Sequence, residues 1–246
     1  METSKIHVEA TSFQKAMTAV IAVAPSQKGN DIVQFRIVGD ALTISARSQT
    51  EAIAVSVETL FLDLDYERDA VFEITRAEAI AMSSMKMQKE HQDDELELGL
   101  LIHETYIVRT DESGLGLGLR SVKVRRHGVL YDSVLGDVPH ALARATDGGP
   151  TEAKPRLDGR QWGLLGKVAK ALDLSLSVYA ISDPGDLAVR TVALGANVVM
   201  SLVWMDVLDD EAPAGSGRRD GELEGQTSIE VVASNVQTAN PPKGIA

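Results

Sequence analysis

The side chains capable of chemistry are scattered along this chain and set in no reaction pattern. His7, His91, His103, His127 and His140 are the only histidines, and no two stand at metal-ligand spacing. Asp63 and Asp65 sit close enough to share a cation, but their loop lacks the Gly and Glu positions of a calcium loop, so both read as solvated. The carboxylates of HQDDELE run into the alternation ELELGLL, which makes them the exposed side of a strand. Gly114, Gly116 and Gly118 recur every second residue with no helix after them, which is strand chemistry and no dinucleotide fingerprint. GxSxG and P-loop patterns do not occur. Zero cysteines exclude a disulfide framework, a cysteine-based zinc site and a catalytic thiol together. The expectation is a protein that is not an enzyme, with no metal site and no cofactor.

What remains is cations at helical spacing. Arg76, Ala79, Ser83 and Lys86 are three, four and three apart, with Lys89 just beyond. Arg160, Gly163, Lys167 and Lys170 repeat the same spacing near the other end of the chain. Lys15 stands off the apolar stripe of an earlier helix. Two helices therefore each offer a small, basic, flat face. Ordinary solvated helix faces are the plainer reading of any one of them.

The elements that must hold these residues come in repeats. A short strand from Ile6 to Glu9 precedes the helix TSFQKAMTAVIAVA, which Thr11 or Ser12 can cap. Phe13, Ala16, Met17, Val20, Ile21 and Ala24 form its buried stripe. Three strand segments follow, DIVQFRIVG, DALTISARS and TEAIAVSVE, and Gly39-Asp40 turns the chain between the first two. The order returns as AVFEI, then the helix TRAEAIAMSSMKM with a Thr75/Glu78 capping box, then DELELGLL, ETYIVRTD and LGLGLRSV. It returns again as RLD, the helix GRQWGLLGKVAKAL, and the strands LSLSVYAIS, GDLAVRTVALG and NVVMSLVWMD. Asp158 and Gln161 can cap that last helix, whose core stripe reads as Trp162, Leu165, Val168, Ala169 and Leu172.

A chain of 246 residues, 44% of them hydrophobic, can bury one or two ordinary cores. Its organisation reads as a domain over 1–122 with two strand-helix-strand-strand-strand units. A turn-rich linker over 123–155 leads to a second domain over 156–208 with at least one unit. An acidic, polar tail occupies 209–246. The net charge is −12, and the stretch from Val207 to Ala246 carries −4 of it. Overall acidity speaks to solubility and long-range steering, whereas a nucleic-acid face needs only a local excess of Lys and Arg. The opening METSKIHVEATSF has no apolar secretory core, and no segment approaches the ~20 apolar residues of a membrane span. A soluble, cytoplasmic protein with no membrane association is expected.

This layout resembles the DNA sliding clamps, the bacterial beta-clamp-like and phage or eukaryotic processivity rings. The resemblance rests on element order, the stripe FQKAMTAVIAVA, the hairpin GDALTISA and the entry FEITRAEAI. It implies an α+β fold of βαβββ units, with antiparallel sheets outside and helices lining one face. It also implies a ring of identical chains that encircles double-stranded DNA without reading its sequence, and a phage-like origin. DNA polymerase, a clamp loader and further copies of the chain would be its partners. The resemblance assigns the DNA-facing role to Lys15, Arg76, Lys86, Lys89, Arg160, Lys167 and Lys170. Val129, Leu130, Tyr131, Val134, Leu135 and Val138 supply a linker patch of the character that partner peptides need; covering a sheet edge is the plainer use of them. Three units are legible where a two-domain subunit has four, and with four the family's arithmetic gives a homotrimer. A clamp-fold adaptor or inhibitor that binds a replication protein without encircling DNA is the alternative.

Overall fold

In the computed structural model, residues 3–65, 70–85, 96–113, 120–127, 155, 157–182 and 189–203 are described. The chain divides into two compact units, Met1–Asp206 and Val207–Ala246, and all described residues belong to the first. Strand β1 (Ser4–Glu9) leads into helix α1 (Ala10–Val23), followed by the meander β2 (Ile32–Val38), β3 (Ala41–Arg47) and β4 (Glu51–Asp63). Strand β5 (Val71–Thr75) leads into α2 (Arg76–Ser83) and the meander β6 (Glu97–Ile102), β7 (Tyr106–Asp111) and β8 (Ser121–Arg125). Helix α3 (Gly159–Leu172) precedes β9 (Ser177–Ser182), β10 (Val189–Leu194) and β11 (Val198–Val203).

All strand pairs are antiparallel, and the two complete units exchange their leading strands. The sheet runs β5-β2-β3-β4-β1-β6-β7-β8, so β5 joins the first meander and β1 joins the second. The third meander is continuous with the first. β11 pairs with the opening half of β4, from Leu202 opposite Glu51 to Val198 opposite Val55, while β1 pairs with its closing half. Beyond β8 the chain returns to β5, where His127 N–H donates to the Glu73 carbonyl at 2.8 Å.

Local chemistry accounts for the helix boundaries. Glu9 caps α1, accepting from the backbone N–H groups of Thr11 at 2.8 Å and Ser12 at 2.6 Å, in place of the cap expected from Thr11 or Ser12. Burial alone would raise the Glu9 carboxyl, but these hydrogen bonds prevail and hold it below its usual range. The Thr75/Glu78 and Asp158/Gln161 capping boxes both form. Gly39 turns β2 into β3 at a φ of 59°, a left-handed conformation that costs glycine little.

The core sits between the sheet and α1, where Phe13, Ala16, Met17 and Val20 are fully buried. Phe35 stacks between Phe72, at 4.8 Å between ring centroids, and Phe13, at 6.4 Å. Arg109 is also buried, its guanidinium 5.6 Å from the Phe13 ring and donating to the Met82 carbonyl in the last turn of α2. Burial pushes this guanidinium down to about 10, with the Asp111 charge acting the other way.

Candidate nucleic-acid interface

Helix α1 packs against both α2 and α3. It runs antiparallel to α3, because Lys15 in its first half reaches Asp173, just past the end of α3, at 3.8 Å. The residues after α1 (Pro25, Gln27, Asn30) line a cleft with Arg160 at the start of α3. Each helix turns one face to the core and one to solvent, and the solvent faces are the surfaces available to a duplex.

On α1 the solvent face is neutral, made of Thr11, Ser12, Thr18 and Ala22, with Gln14 and Lys15 half-buried at its margin. On α2 it is Ala77, Ile80 and Ala81, with Ser84 exposed at the C-cap. The sequence reading put Arg76, Ala79 and Ser83 on the open side of α2, but Ala79 is fully buried and, with Met82, forms the core face. In so short a helix the apolar pattern is symmetrical enough to be read either way round. Packing against α1 and β8 chooses the side.

Helix α3 differs. Its inward stripe is Gln161, Leu165, Val168 and Leu172, at spacings of four, three and four. Trp162, expected in that stripe, is 49% exposed, and Gln161 takes the buried place. The physical reason is helical phase: at 3.6 residues per turn Gln161 falls on the arc of Leu165, Val168 and Leu172 and Trp162 falls beside it, while the Gln161 side chain still accepts from the Asp158 N–H at 3.2 Å. Gly159, Gly163, Gly166, Lys167 and Lys170 then face solvent, flanked by Arg160 and Trp162. A Cβ built on any of these three glycines meets nothing within 4 Å, so no packing among the described residues requires them.

The expected cations therefore fall into three groups. Lys167 and Lys170 stand on the open face of α3. Lys15, Arg76 and Arg160 are each engaged within the chain. Arg76 donates from Nε to the Ile21 carbonyl at 3.3 Å, satisfying an orphan acceptor in the last turn of α1. Arg160 donates to the buried Glu51 carboxylate, at 3.1 Å and 3.2 Å. Lys86 and Lys89 lie outside the described residues, as do Val129, Leu130, Tyr131, Val134, Leu135 and Val138.

Sequence reasoning missed Glu51, the buried partner of Arg160, and Arg109. Arg109 had a signal: it shares parity with Ile107 and Asp111 in YIVRTD, the side of β7 that faces the core. Glu51 had none, since its partner is 109 residues away. No group of three or more potential metal ligands converges among the described residues. No helix among them is long and apolar enough to cross a membrane.

No family model matches the sequence, and no curated protein matches it. Solved structures do. A DnaN sliding clamp (DNA polymerase III subunit beta) from Pseudomonas aeruginosa, bound to griselimycin, superposes with a TM-score of 0.55 at 8% identity, over 87% of this chain and 67% of that one. The DNA polymerase III beta subunit of Thermotoga maritima gives 0.51 at 12% identity, over 86% and 66%. The DNA polymerase sliding clamp of Bacillus subtilis gives 0.52 at 9% identity, over 83% and 65%. The chain spans about two thirds of the length of these clamps. At such identities the likeness shows the fold, and the fold of this chain is sliding-clamp-like.

Proposed function

We propose that this chain is a processivity clamp, a ring of identical subunits that encircles duplex DNA and tethers a polymerase and its loader. The observation that carries the reading is the open face of α3, set in a clamp-like fold. Three glycines and two lysines there offer a flat surface with modest positive charge. Phosphate contacts of that density are sequence-blind and exchange readily with salt, as sliding requires. On this reading Lys167 and Lys170 carry the contact from α3, and Lys86 and Lys89 add to it. Lys15, Arg76 and Arg160 hold the helices first and meet DNA only through their remaining donors. Partner peptides dock on the linker patch from Val129 to Val138, between domains over 1–122 and 156–208. The subunits form a homotrimer in the cytoplasm and catalyse no reaction.

The test is topological. The chain is bound to nicked circular duplex together with its loader, freed from excess protein, and the DNA is then linearised. Retention on the circle and release from the linear form is the expected result, and Lys167→Glu with Lys170→Glu should lower retention. Equal release from circle and line would overturn the reading. One observation favours a second reading, an adaptor that binds a replication protein without enclosing DNA. Three of the five expected DNA-facing cations that are described make internal bonds instead. That reading expects a monomer or dimer and no dependence on DNA topology.

A further inference from the structure

The closing half of β4 exposes two large apolar side chains in succession, and a β-bulge is the cause. His7 of β1 stands opposite Phe61 and Val8 stands opposite Thr59, so Leu60 has no partner in the ladder. In a regular strand successive side chains alternate between faces, and one of this pair would turn inward. The extra residue breaks that alternation: Leu60 is 59% exposed and Phe61 47%. Val38, 54% exposed, lies at the neighbouring β2–β3 turn, which is tied to the bulge by the Thr59 N–H donating to the Asp40 carbonyl at 2.9 Å. These are three of the five large apolar side chains exposed among the described residues, gathered at one end of the sheet.

The surroundings select what could cover them. Asp40, Glu58 and Asp63 are all exposed, and none is in an ion pair among the described residues. Lys5, opposite Asp63 in the ladder, is the nearby cation on β1. The His7 ring lies 5.2 Å from the Phe61 ring, and its Nδ1 is 2.6 Å from Glu97 Oε1 on β6. An apolar centre on an ordered sheet, rimmed by carboxylates, is complementary to a segment with apolar anchors between basic side chains.

We infer that Leu60 and Phe61, with Val38, form a docking surface for a basic, apolar peptide segment of a partner protein. None of its residues belongs to the α3 face, and the inference holds whether or not the chain closes into a ring. Docking buries the bulge residues against the partner's apolar side chains, and Glu58 and Asp63 pair with its Lys or Arg.

The probe is a short labelled peptide alternating leucine and lysine, with serine/lysine and leucine/glutamate peptides as controls, read by fluorescence anisotropy on the full chain. The leucine/lysine peptide should bind. Leu60→Ser with Phe61→Ser should weaken it about tenfold, the loss typical of removing central anchors. Both controls should bind at least about tenfold more weakly than the probe. If the double serine variant does not fold, Glu58→Lys with Asp63→Lys changes only exposed groups and should give a similar loss. Failure of the leucine/lysine peptide to bind would overturn the inference. So would undiminished binding by a folded variant, or equal binding of the serine/lysine peptide.

Discussion

One amino group of Arg160, Nη2, spans both carboxylate oxygens of Glu51, at 3.1 Å and 3.2 Å, and so ties the first turn of α3 to the start of β4. The arginine side chain is 73% exposed and the glutamate side chain 2%. The bond thus does more for the carboxylate than for the guanidinium, since a buried charge without its partner is costly. The Ser48 hydroxyl also donates to Glu51, so the β3–β4 turn, β4 and α3 meet at one acid.

Arg160→Ala should therefore destabilise the chain although most of the side chain faces water. Because the guanidinium is exposed, the loss should be about 1–2 kcal/mol, below the cost of breaking a fully buried pair. That lowers the melting temperature by a few degrees. A melting point equal to the wild type would show that Glu51 is satisfied without the arginine.

Burial of Arg109 predicts a larger effect. Arg109→Leu leaves the Met82 carbonyl at the end of α2 without its donor and removes the cation from the Phe13 ring. A loss of about 2–3 kcal/mol is expected for an orphaned buried acceptor together with imperfect repacking. Urea unfolding measures it, and a shift below about 0.5 kcal/mol would mean that the bond from Arg109 to the Met82 carbonyl does not hold the end of α2.

The cap of α1 is sensitive to pH. Hydrogen bonds hold the folded Glu9 carboxyl below its unfolded value of 4.5, so its contribution is fully present above that value and is lost as pH falls through the folded one. Glu9→Gln should be less stable than the wild type by about 0.5–1 kcal/mol near neutrality, and the two should converge in acid. Parallel melting curves across the acid range check this. A gap that persists once the pH has fallen through the folded value would mean that the carboxylate charge is not what the cap uses.

The glycines of α3 separate stability from contact. Gly163→Ala and Gly166→Ala fill open space in a helix and should each raise stability by about 0.5–1 kcal/mol. Gly163→Glu should leave the fold intact and weaken DNA retention, because it puts a negative charge beside Lys167. If the alanine variants lose stability, the backbone of α3 needs those glycines for a reason internal to the chain.

Strand meanders, helix positions and both capping boxes could be read from the sequence because each is encoded within a few residues. Thr75 and Glu78 are three apart, as are Asp158 and Gln161, and Gly39-Asp40 marks its own turn. Features that depend on distant residues could not be read that way. The pairing of β11 with β4 joins segments more than 140 residues apart, and Arg160 meets a glutamate 109 residues away. Arg76 was legible as a cation on a helix, but its bond to Ile21 is settled by how α1 and α2 pack. Trp162 looks like a core residue because its spacing to Leu165 fits a stripe, but Gln161 takes the first buried place while Leu165, Val168 and Leu172 keep theirs. The bulge at Leu60 has no local signature in TLFLD, and only the ladder with β1 shows it.

The most direct test of the central claim is the mass of the chain in solution, by light scattering across a concentration series. A ring predicts one closed assembly of several chains whose mass holds as the protein is diluted. Three chains per assembly would match a subunit with four units, and four would match a subunit with three. A monomer at every concentration would contradict the ring and leave the clamp-like fold to serve as an adaptor.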